Sequence, residues 1–156
     1  MTNRTSVERV SDCEVLITRL INAPPRVVWR AWTHADLFPK WWIPKSMPIP
    51  LKSCDMDVRV GGGYRLVFLF EGNEMAFFGT YREVVPEQRL VWSNDEAGEA
   101  GQISSATLEE QAGKTLVVMR ERYPTKDALD AAMASGSMDG MPETFDQLEE
   151  FVAALG

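Results

Sequence analysis

The sequence has little of what most metal-binding and catalytic sites require. It holds one histidine, His34, and two cysteines, Cys13 and Cys54, which lie far apart and outside any Cys-x-x-Cys pair. One histidine without a cysteine pair does not make a typical zinc site, so we predict no metal and no cofactor. Two separated thiols are typical of a reducing compartment rather than of a disulfide-linked protein.

Long apolar runs and clustered cations are missing as well. The first ten residues are polar and charged, unlike the apolar part of a signal peptide. No apolar stretch approaches the roughly 20 residues that span a membrane. Sixteen Lys and Arg face 23 Asp and Glu, without any run of cations to match a phosphate backbone. We therefore expect a cytoplasmic protein with no nucleic-acid partner and no membrane insertion.

Large apolar side chains are plentiful. The 156 residues fit one domain, and we predict a flexible N-terminus over residues 1–11 and a single domain over 12–156. Hydrophobic residues make up 45% of the chain, with five Trp, seven Phe and eight Met among them. These side chains either fill a core or line a cavity, and composition does not decide between the two.

Hydrophobic periodicity predicts an α+β fold with six or seven antiparallel strands and a long C-terminal helix. A first strand over residues 13–21 precedes two short helices, over 26–32 and 35–38, and Pro24 and Pro25 suit the first turn of the first helix. Six further strands are predicted over residues 51–58, 64–70, 75–85, 89–93, 103–110 and 115–123. Their spacing of about ten residues is typical of an antiparallel meander.

The C-terminal segment is helical in pattern. Thr125 is predicted to cap a helix over residues 126–134. Beyond the next break, one apolar stripe is formed by Met141, Phe145, Leu148, Val152 and Leu155. Such a stripe must be buried, and the sheet is its only large partner. A long helix lying against a curved sheet usually leaves a space between them, and such spaces are common ligand sites.

Several segments resemble the activator of heat-shock-protein ATPase homologue family, within the START-like, birch-pollen-allergen-like superfamily. They are Ile-Asn-Ala-Pro at 21–24, Val-Trp-Arg-Ala-Trp-Thr at 28–33, Trp-Trp-Ile-Pro at 41–44, Val-Gly-Gly-Gly-Tyr-Arg at 60–65, the stretch from Gly to Val at 79–91, and the closing segment at 140–148. The resemblance runs from about residue 14 to 155, with its parts in the family's order.

The resemblance implies a helix-grip fold, in which a curved antiparallel sheet surrounds the long helix. Superfamily members range from ligand carriers to cyclases to co-chaperone domains of the stress response, so fold alone does not give function. START-like domains of this size often pair through sheet edges or loops, which makes a homodimer one option. Two departures are His34, where many members have an acidic residue, and Met141, where others have Trp after Gly140.

The aromatic and methionine residues on converging elements are the predicted ligand-pocket residues. They are Trp32, Trp41, Trp42, Phe68, Phe70, Phe78, Tyr81, Trp92, Met119, Met141 and Phe145. A filled core is the alternative for the same set. Methionine adapts to irregular surfaces, which suits a cavity for a flat or greasy molecule. Trp41 and Trp42 fall in a proline-rich segment over residues 40–50, predicted to be an aromatic loop at the pocket entrance.

Carboxylates are the main candidates for chemistry. Asp55 and Asp57 alternate on a predicted strand, and Glu121 is expected on a strand nearby. Paired carboxylates act as acid and base when burial raises one pKa. The alternative is a polar outer sheet face, on which Arg120 and Arg122 pair with these carboxylates.

Three further motifs point to structure rather than to chemistry. His34 follows a predicted helix, where a surface or capping role is more usual than that of a base. The three glycines at 61–63 precede a strand, whereas phosphate loops precede a helix, so they indicate a sharp turn. Ser104 and Ser105 lack the Gly-x-Ser-x-Gly elbow of serine hydrolases.

Three functions remain open from the sequence. The first is binding of a small hydrophobic or aromatic molecule, and the second is interaction with a chaperone ATPase through an exposed apolar patch rimmed by charge. The third is a pocket enzyme of cyclase or hydratase type, with Asp55, Asp57, Glu121 or Tyr81 as acid or base. A wholly apolar pocket favours the first, a filled core the second and a buried carboxylate in the pocket the third.

Overall fold

The computed structural model describes residues 5–43, 45–46, 49–95, 102–135 and 140–155. Its eight strands are β1 (Ser6–Arg9), β2 (Glu14–Ile21), β3 (Leu51–Met56), β4 (Gly63–Phe70), β5 (Asn73–Val85), β6 (Arg89–Asn94), β7 (Gln102–Gln111) and β8 (Lys114–Arg122). Its four helices are α1 (Pro25–Thr33), α2 (Phe38–Trp42), α3 (Lys126–Ser135) and α4 (Met141–Leu155). None of the described helices is long and apolar enough to cross a membrane.

The strands form one antiparallel sheet in the order β1-β2-β8-β7-β6-β5-β4-β3. This arrangement confirms the predicted α+β helix-grip architecture, with one strand more than expected. The additional strand is β1, which pairs with β2 from Ser6 opposite Thr18 to Arg9 opposite Val15. It lies within the stretch predicted to be flexible. Backbone hydrogen bonds to an edge strand need no apolar alternation, so the pattern of side chains did not reveal it.

Bulges and glycines allow the sheet to curve around the helix. The register of β5 with β6 shifts between Tyr81 and Glu83, and such bulges bend a strand. A Cβ on Gly79 would lie 1.8 Å from the carbonyl oxygen of Ser93, so only glycine permits this close approach of two strands. Gly61 has a φ of +86° in the turn before β4, as expected of a sharp turn rather than of a phosphate loop.

Helix α4 packs on the sheet through the predicted apolar stripe. Phe145, Leu148 and Val152 are buried on this face. Arg19 of β2 is also buried, and its guanidinium binds the carboxylates of Asp146 and Glu149 at 2.7 Å each. At the start of α3, the Ala128 N–H donates to Thr125 Oγ1 at 3.1 Å, which confirms the predicted cap.

Helix α2 extends into the segment over residues 40–50 that was predicted to be an aromatic loop, and includes both Trp41 and Trp42. Proline interrupts a helix in its interior but fits the first turn, and Pro39 occupies the first turn of α2. Gln147 of α4 holds the end of this helix, because its Nε2 donates to the carbonyl oxygens of Trp41 and Ile43 at 2.9 Å each. Its Oε1 accepts from the Lys45 N–H at 2.8 Å. Residues 44, 47 and 48 of the predicted loop lie outside the described residues.

Candidate functional site

A cavity of about 800 Å³ lies between the concave face of the sheet and the helices. Its volume is within the range of about 300–1,000 Å³ that is usual for small-molecule pockets. All four helices contribute to its wall, for example through Trp32 of α1, Trp42 of α2, Ala132 of α3 and Met141 of α4. Most of the described lining residues are apolar, and Glu121 alone among them is an acidic or basic residue.

The structure separates the predicted pocket residues into two groups. Those in the cavity wall are Trp32, Trp42, Phe68, Tyr81, Trp92, Met119 and Met141. Those outside it are Trp41, Phe70, Phe78 and Phe145. The departure from the family pattern at Met141 therefore lies directly in the cavity wall.

Trp41 and Phe145 form a layer behind the wall. Both are 0% exposed, and their ring centroids lie 4.9 Å and 6.3 Å from that of Trp32. The Trp41 Nε1–H donates to the carbonyl oxygen of Ala31 at 2.9 Å, which satisfies its only polar group. These two residues belong to the core and hold the indole of Trp32 in position.

Phe78 lies on the outer face of β5, and Phe70 lies beyond the cavity at the end of β4. Successive side chains of a strand alternate between faces, so Phe78 points outward when Phe77 and Tyr81 point inward. The guanidinium carbon of Arg65 lies 5.6 Å from the centroid of the Phe78 ring. Phe70 ends β4 at the hairpin tip and is 47% exposed. The two-residue period from Tyr81 was the signal that would have favoured Phe77.

A polar cluster interrupts the apolar wall where β6 ends and β7 begins. Oε2 of Glu121 accepts from Ser104 Oγ at 2.6 Å and from Gln102 Nε2 at 2.7 Å. Asn94 Nδ2 in turn donates to Ser104 Oγ at 2.9 Å and to the carbonyl oxygen of Gln102 at 3.3 Å. Glu121 was a candidate acid or base from the sequence, whereas the amides of Asn94 and Gln102 were not predicted. Glu121 follows Met119 by two residues, so both side chains lie on one face of β8. This spacing was the sequence signal for Glu121.

Glu121 has an unusual protonation equilibrium. Burial raises its pKa to about 7, and the hydrogen bonds from Ser104 and Gln102 oppose this effect only in part. The other titratable lining residues that the structure describes are Tyr64, Tyr81 and Tyr123, and phenols carry no charge at neutral pH. Burial also raises the pKa of the Tyr81 hydroxyl. Within the described wall, Glu121 is therefore the group that changes charge near neutral pH.

The predicted proximity of Asp55 and Asp57 to Glu121 is wrong. Both aspartates are exposed on or next to β3, and the sheet order places five strand steps between β3 and β8. Asp57 pairs with Arg59 at 2.8 Å, and Arg120 pairs with Glu14 at 3.2 Å. The two-residue spacing of Asp55 and Asp57 correctly predicted that both lie on the outer face, but it does not show which strands are neighbours in the sheet.

The remaining candidates are structural. His34 is exposed at the C-terminal end of α1, with its Nδ1 3.0 Å from the carbonyl oxygen of Arg30. Cys13 and Cys54 are half-buried free thiols. Among the described residues, no three His, Cys, Asp or Glu side chains lie close enough together to hold a metal ion.

The fold and its cavity define a helix-grip domain of the START-like class, with a partly open, mostly apolar pocket between sheet and C-terminal helix. The chain belongs to the Activator of Hsp90 ATPase homolog 1-like protein family, whose model matches residues 22–153. The comparison with curated proteins finds no match.

Solved structures from several bacteria share this fold. A Rhodobacter sphaeroides protein is 28% identical, with a TM-score of 0.86 and coverage of 97% of this chain and 99% of that one. A Nitrosomonas europaea protein is 25% identical, with a TM-score of 0.83 and coverage of 94% and 97%. A Chromobacterium violaceum protein is 29% identical, with a TM-score of 0.72 and coverage of 91% and 98%. These similarities extend over nearly the full length of each chain.

Proposed function

We propose that the protein binds a small, mostly apolar molecule in the cavity between sheet and helices. The observation that carries this proposal is a space of about 800 Å³ in a chain of 156 residues. Protein cores are packed as densely as organic crystals, and their ordinary voids seldom exceed the size of a water molecule. A partly open pocket of this volume between sheet and helices matches a ligand-sized site rather than a packing defect.

The aromatic wall supports a ligand with flat or branched hydrocarbon parts. Trp32 lies 6.4 Å from Trp42 and 6.4 Å from Trp92 between ring centroids, so three indoles surround one part of the cavity. Trp41 and Phe145 fix Trp32 from behind. Because these rings are already ordered, a ligand need not immobilise them on binding, which favours affinity.

The test uses N-phenyl-1-naphthylamine, a neutral aromatic dye that fluoresces strongly in apolar surroundings. We expect saturable fluorescence and a rise in melting temperature, since ligand at 100 times Kd adds about 2.7 kcal/mol to the free energy of unfolding. Native mass spectrometry of gently purified protein examines natural ligands in parallel. An unchanged melting curve and no saturable signal would contradict the proposal.

A matched pair of variants locates the dye. Ala132→Trp places an indole in the cavity wall on α3, whereas Met133→Trp places the same indole at an exposed position on that helix, outside the wall. We expect Ala132→Trp to weaken dye binding at least tenfold and Met133→Trp to leave it unchanged. Equal effects of both variants would place the dye elsewhere on the molecule.

Acid–base catalysis is the second candidate, and Glu121 is the observation that favours it. A carboxyl group with a pKa near 7 inside an apolar pocket is suited to donating and accepting protons. Any molecule that co-purifies is to be incubated with the protein and followed by mass spectrometry. A mass change that Glu121→Gln abolishes while binding persists would favour catalysis over binding alone.

The co-chaperone hypothesis predicts one exposed apolar patch rimmed by charge. The exposed apolar side chains on the β4–β5 hairpin are Leu69, Phe70, Met75, Phe77 and Phe78. Strand alternation divides them between the two faces of the hairpin, and Met75 and Phe77 belong to the cavity wall. This division makes ligand binding the better-supported function. A cytoplasmic location and a homodimer stay predictions of the sequence.

A further inference from the structure

The carboxyl group of Glu121 presents its two oxygens to different surroundings. Oε2 accepts both hydrogen bonds of the polar cluster, from Ser104 and Gln102. Oε1 has no hydrogen-bond partner among the described residues, and it is not fully buried. Since Glu121 belongs to the cavity wall, Oε1 is the oxygen that a bound molecule reaches.

The hydrogen-bond directions around Oε2 follow from the chemistry of its partners. The carbonyl oxygen of Gln102 only accepts, so the atom of Asn94 beside it must be Nδ2. This nitrogen also donates to Ser104 Oγ, which leaves the Ser104 proton for Glu121. Gln102 Nε2 can only donate. Because Oε2 accepts twice, a proton on neutral Glu121 resides on Oε1 and faces the cavity.

Glu121 also lies in register with the aromatic wall. Ser104 of β7 pairs with Glu121 of β8 and, on its other side, with Trp92 of β6. Trp92 in turn pairs with Tyr81 of β5. Two strand spacings separate Glu121 from Trp92, which is about 10 Å. An elongated molecule along this row contacts the rings with its body while one end reaches Oε1.

We propose that Oε1 of Glu121 selects ligands that carry a hydrogen-bond donor, a hydroxyl or an amine, at one end of an apolar body. This inference rests on the proposed function and names the ligand class of that same cavity. Two donors on Oε2 favour the ionised carboxylate, and a donor from the ligand completes its hydrogen bonding. A ligand anion meets a like charge, and an ether or hydrocarbon leaves Oε1 without a partner.

Four naphthalenes that differ in one substituent test the selection on the native protein. They are 2-naphthol, 2-(aminomethyl)naphthalene, 2-methoxynaphthalene and 2-naphthoate, each measured by displacement of N-phenyl-1-naphthylamine at pH 8. We expect the naphthol or the amine to bind about tenfold more tightly than the methyl ether, and the carboxylate to bind most weakly. If only the amine binds more tightly than the ether, the ligand class is cationic. If only the naphthol does, the ligand class is neutral.

Glu121→Gln should abolish this preference. The donors on the Oε2 position hold the amide oxygen of the new side chain, so its NH₂ group faces the cavity. We expect the protonated amine, which can only donate, to lose about tenfold in affinity while the methyl ether loses nothing. Glu110→Gln, at an exposed position of β7, is the control that should keep the native order.

The outcomes separate the two proposals. If the dye does not bind at all, the proposed function fails. If the dye and all four naphthalenes bind with equal affinity, the cavity binds ligands but the selection by Glu121 is overturned. Should Glu121→Gln not fold, as judged by its melting curve, the naphthalene series on the native protein decides by itself.

Discussion

Replacing Glu121 by Gln should change how the stability of the protein depends on pH. In the folded protein burial raises the pKa of Glu121 to about 7, whereas its ordinary value is 4.5. The folded state therefore binds more protons than the unfolded chain between these two values, so stability falls as pH rises. At about 1.4 kcal/mol for each pH unit, the loss approaches 3 kcal/mol across this window. Above pH 7 the loss levels off as Glu121 becomes ionised in the folded protein as well.

The assay is urea unfolding of the native protein and of Glu121→Gln at pH 5, 6, 7 and 8. The free energy of unfolding is extrapolated to water at each pH. Other carboxylates titrate in both proteins, so the difference between the two curves isolates Glu121. We expect native stability to fall relative to that of the variant by about 2–3 kcal/mol from pH 5 to pH 8. Glu110→Gln serves again as the exposed control and should follow the native curve.

Two results would refute this reasoning. Parallel curves for the native protein and Glu121→Gln would mean that the carboxyl group ionises as easily in the fold as in the unfolded chain. A native protein that gains stability relative to the variant as pH rises would mean that a favourable partner holds the ionised form. Either result would also remove the basis for acid–base chemistry at neutral pH.

Three further substitutions test the supports of the cavity, each by urea unfolding. Gln147→Leu removes three hydrogen bonds that join α4 to the end of α2. We expect the free energy of unfolding to fall by about 1–3 kcal/mol and dye binding to weaken. Unchanged dye binding would mean that the position of α2 does not depend on these hydrogen bonds. Gly79→Ala places a methyl group against the Ser93 carbonyl and should cost about 1–3 kcal/mol, whereas a neutral effect would contradict the close strand approach. Thr125→Ala removes the cap of α3 and should cost about 1 kcal/mol, and Thr125→Ser should restore most of it.

Local patterns were sufficient to predict most of the fold. The β-branched strand before Pro24, the meander spacing and the stripe through Phe145 and Leu148 each depend on residues close in sequence. The first turn of α2 was missed because Pro39 was interpreted as an interruption rather than as a helix start. Strand β1 was missed because its pairing with β2 rests on the backbone and leaves no hydrophobic period.

The cavity wall was harder to predict, because it depends on which side of each element faces inward. Phe77 and Phe78 have the same side chain, and only the face of the strand decides that Phe77 lines the cavity. Trp41 and Trp42 are likewise adjacent, yet one is core and the other is wall. A list of aromatic residues therefore does not separate the cavity wall from the layer behind it.

The hydrogen-bond partners of Glu121 could not be predicted from the sequence for a different reason. Ser104 and Gln102 are 17 and 19 residues away in sequence, and their contact with Glu121 depends on the register of β7 against β8. Such a register is set by the whole hairpin rather than by any motif. The same register places Glu121 in the cavity wall, where a carboxyl group is suited to binding when the ligand keeps its proton and to catalysis when the ligand gives its proton up. The acidity of the ligand group that contacts Oε1 therefore distinguishes binding from acid–base catalysis in this pocket.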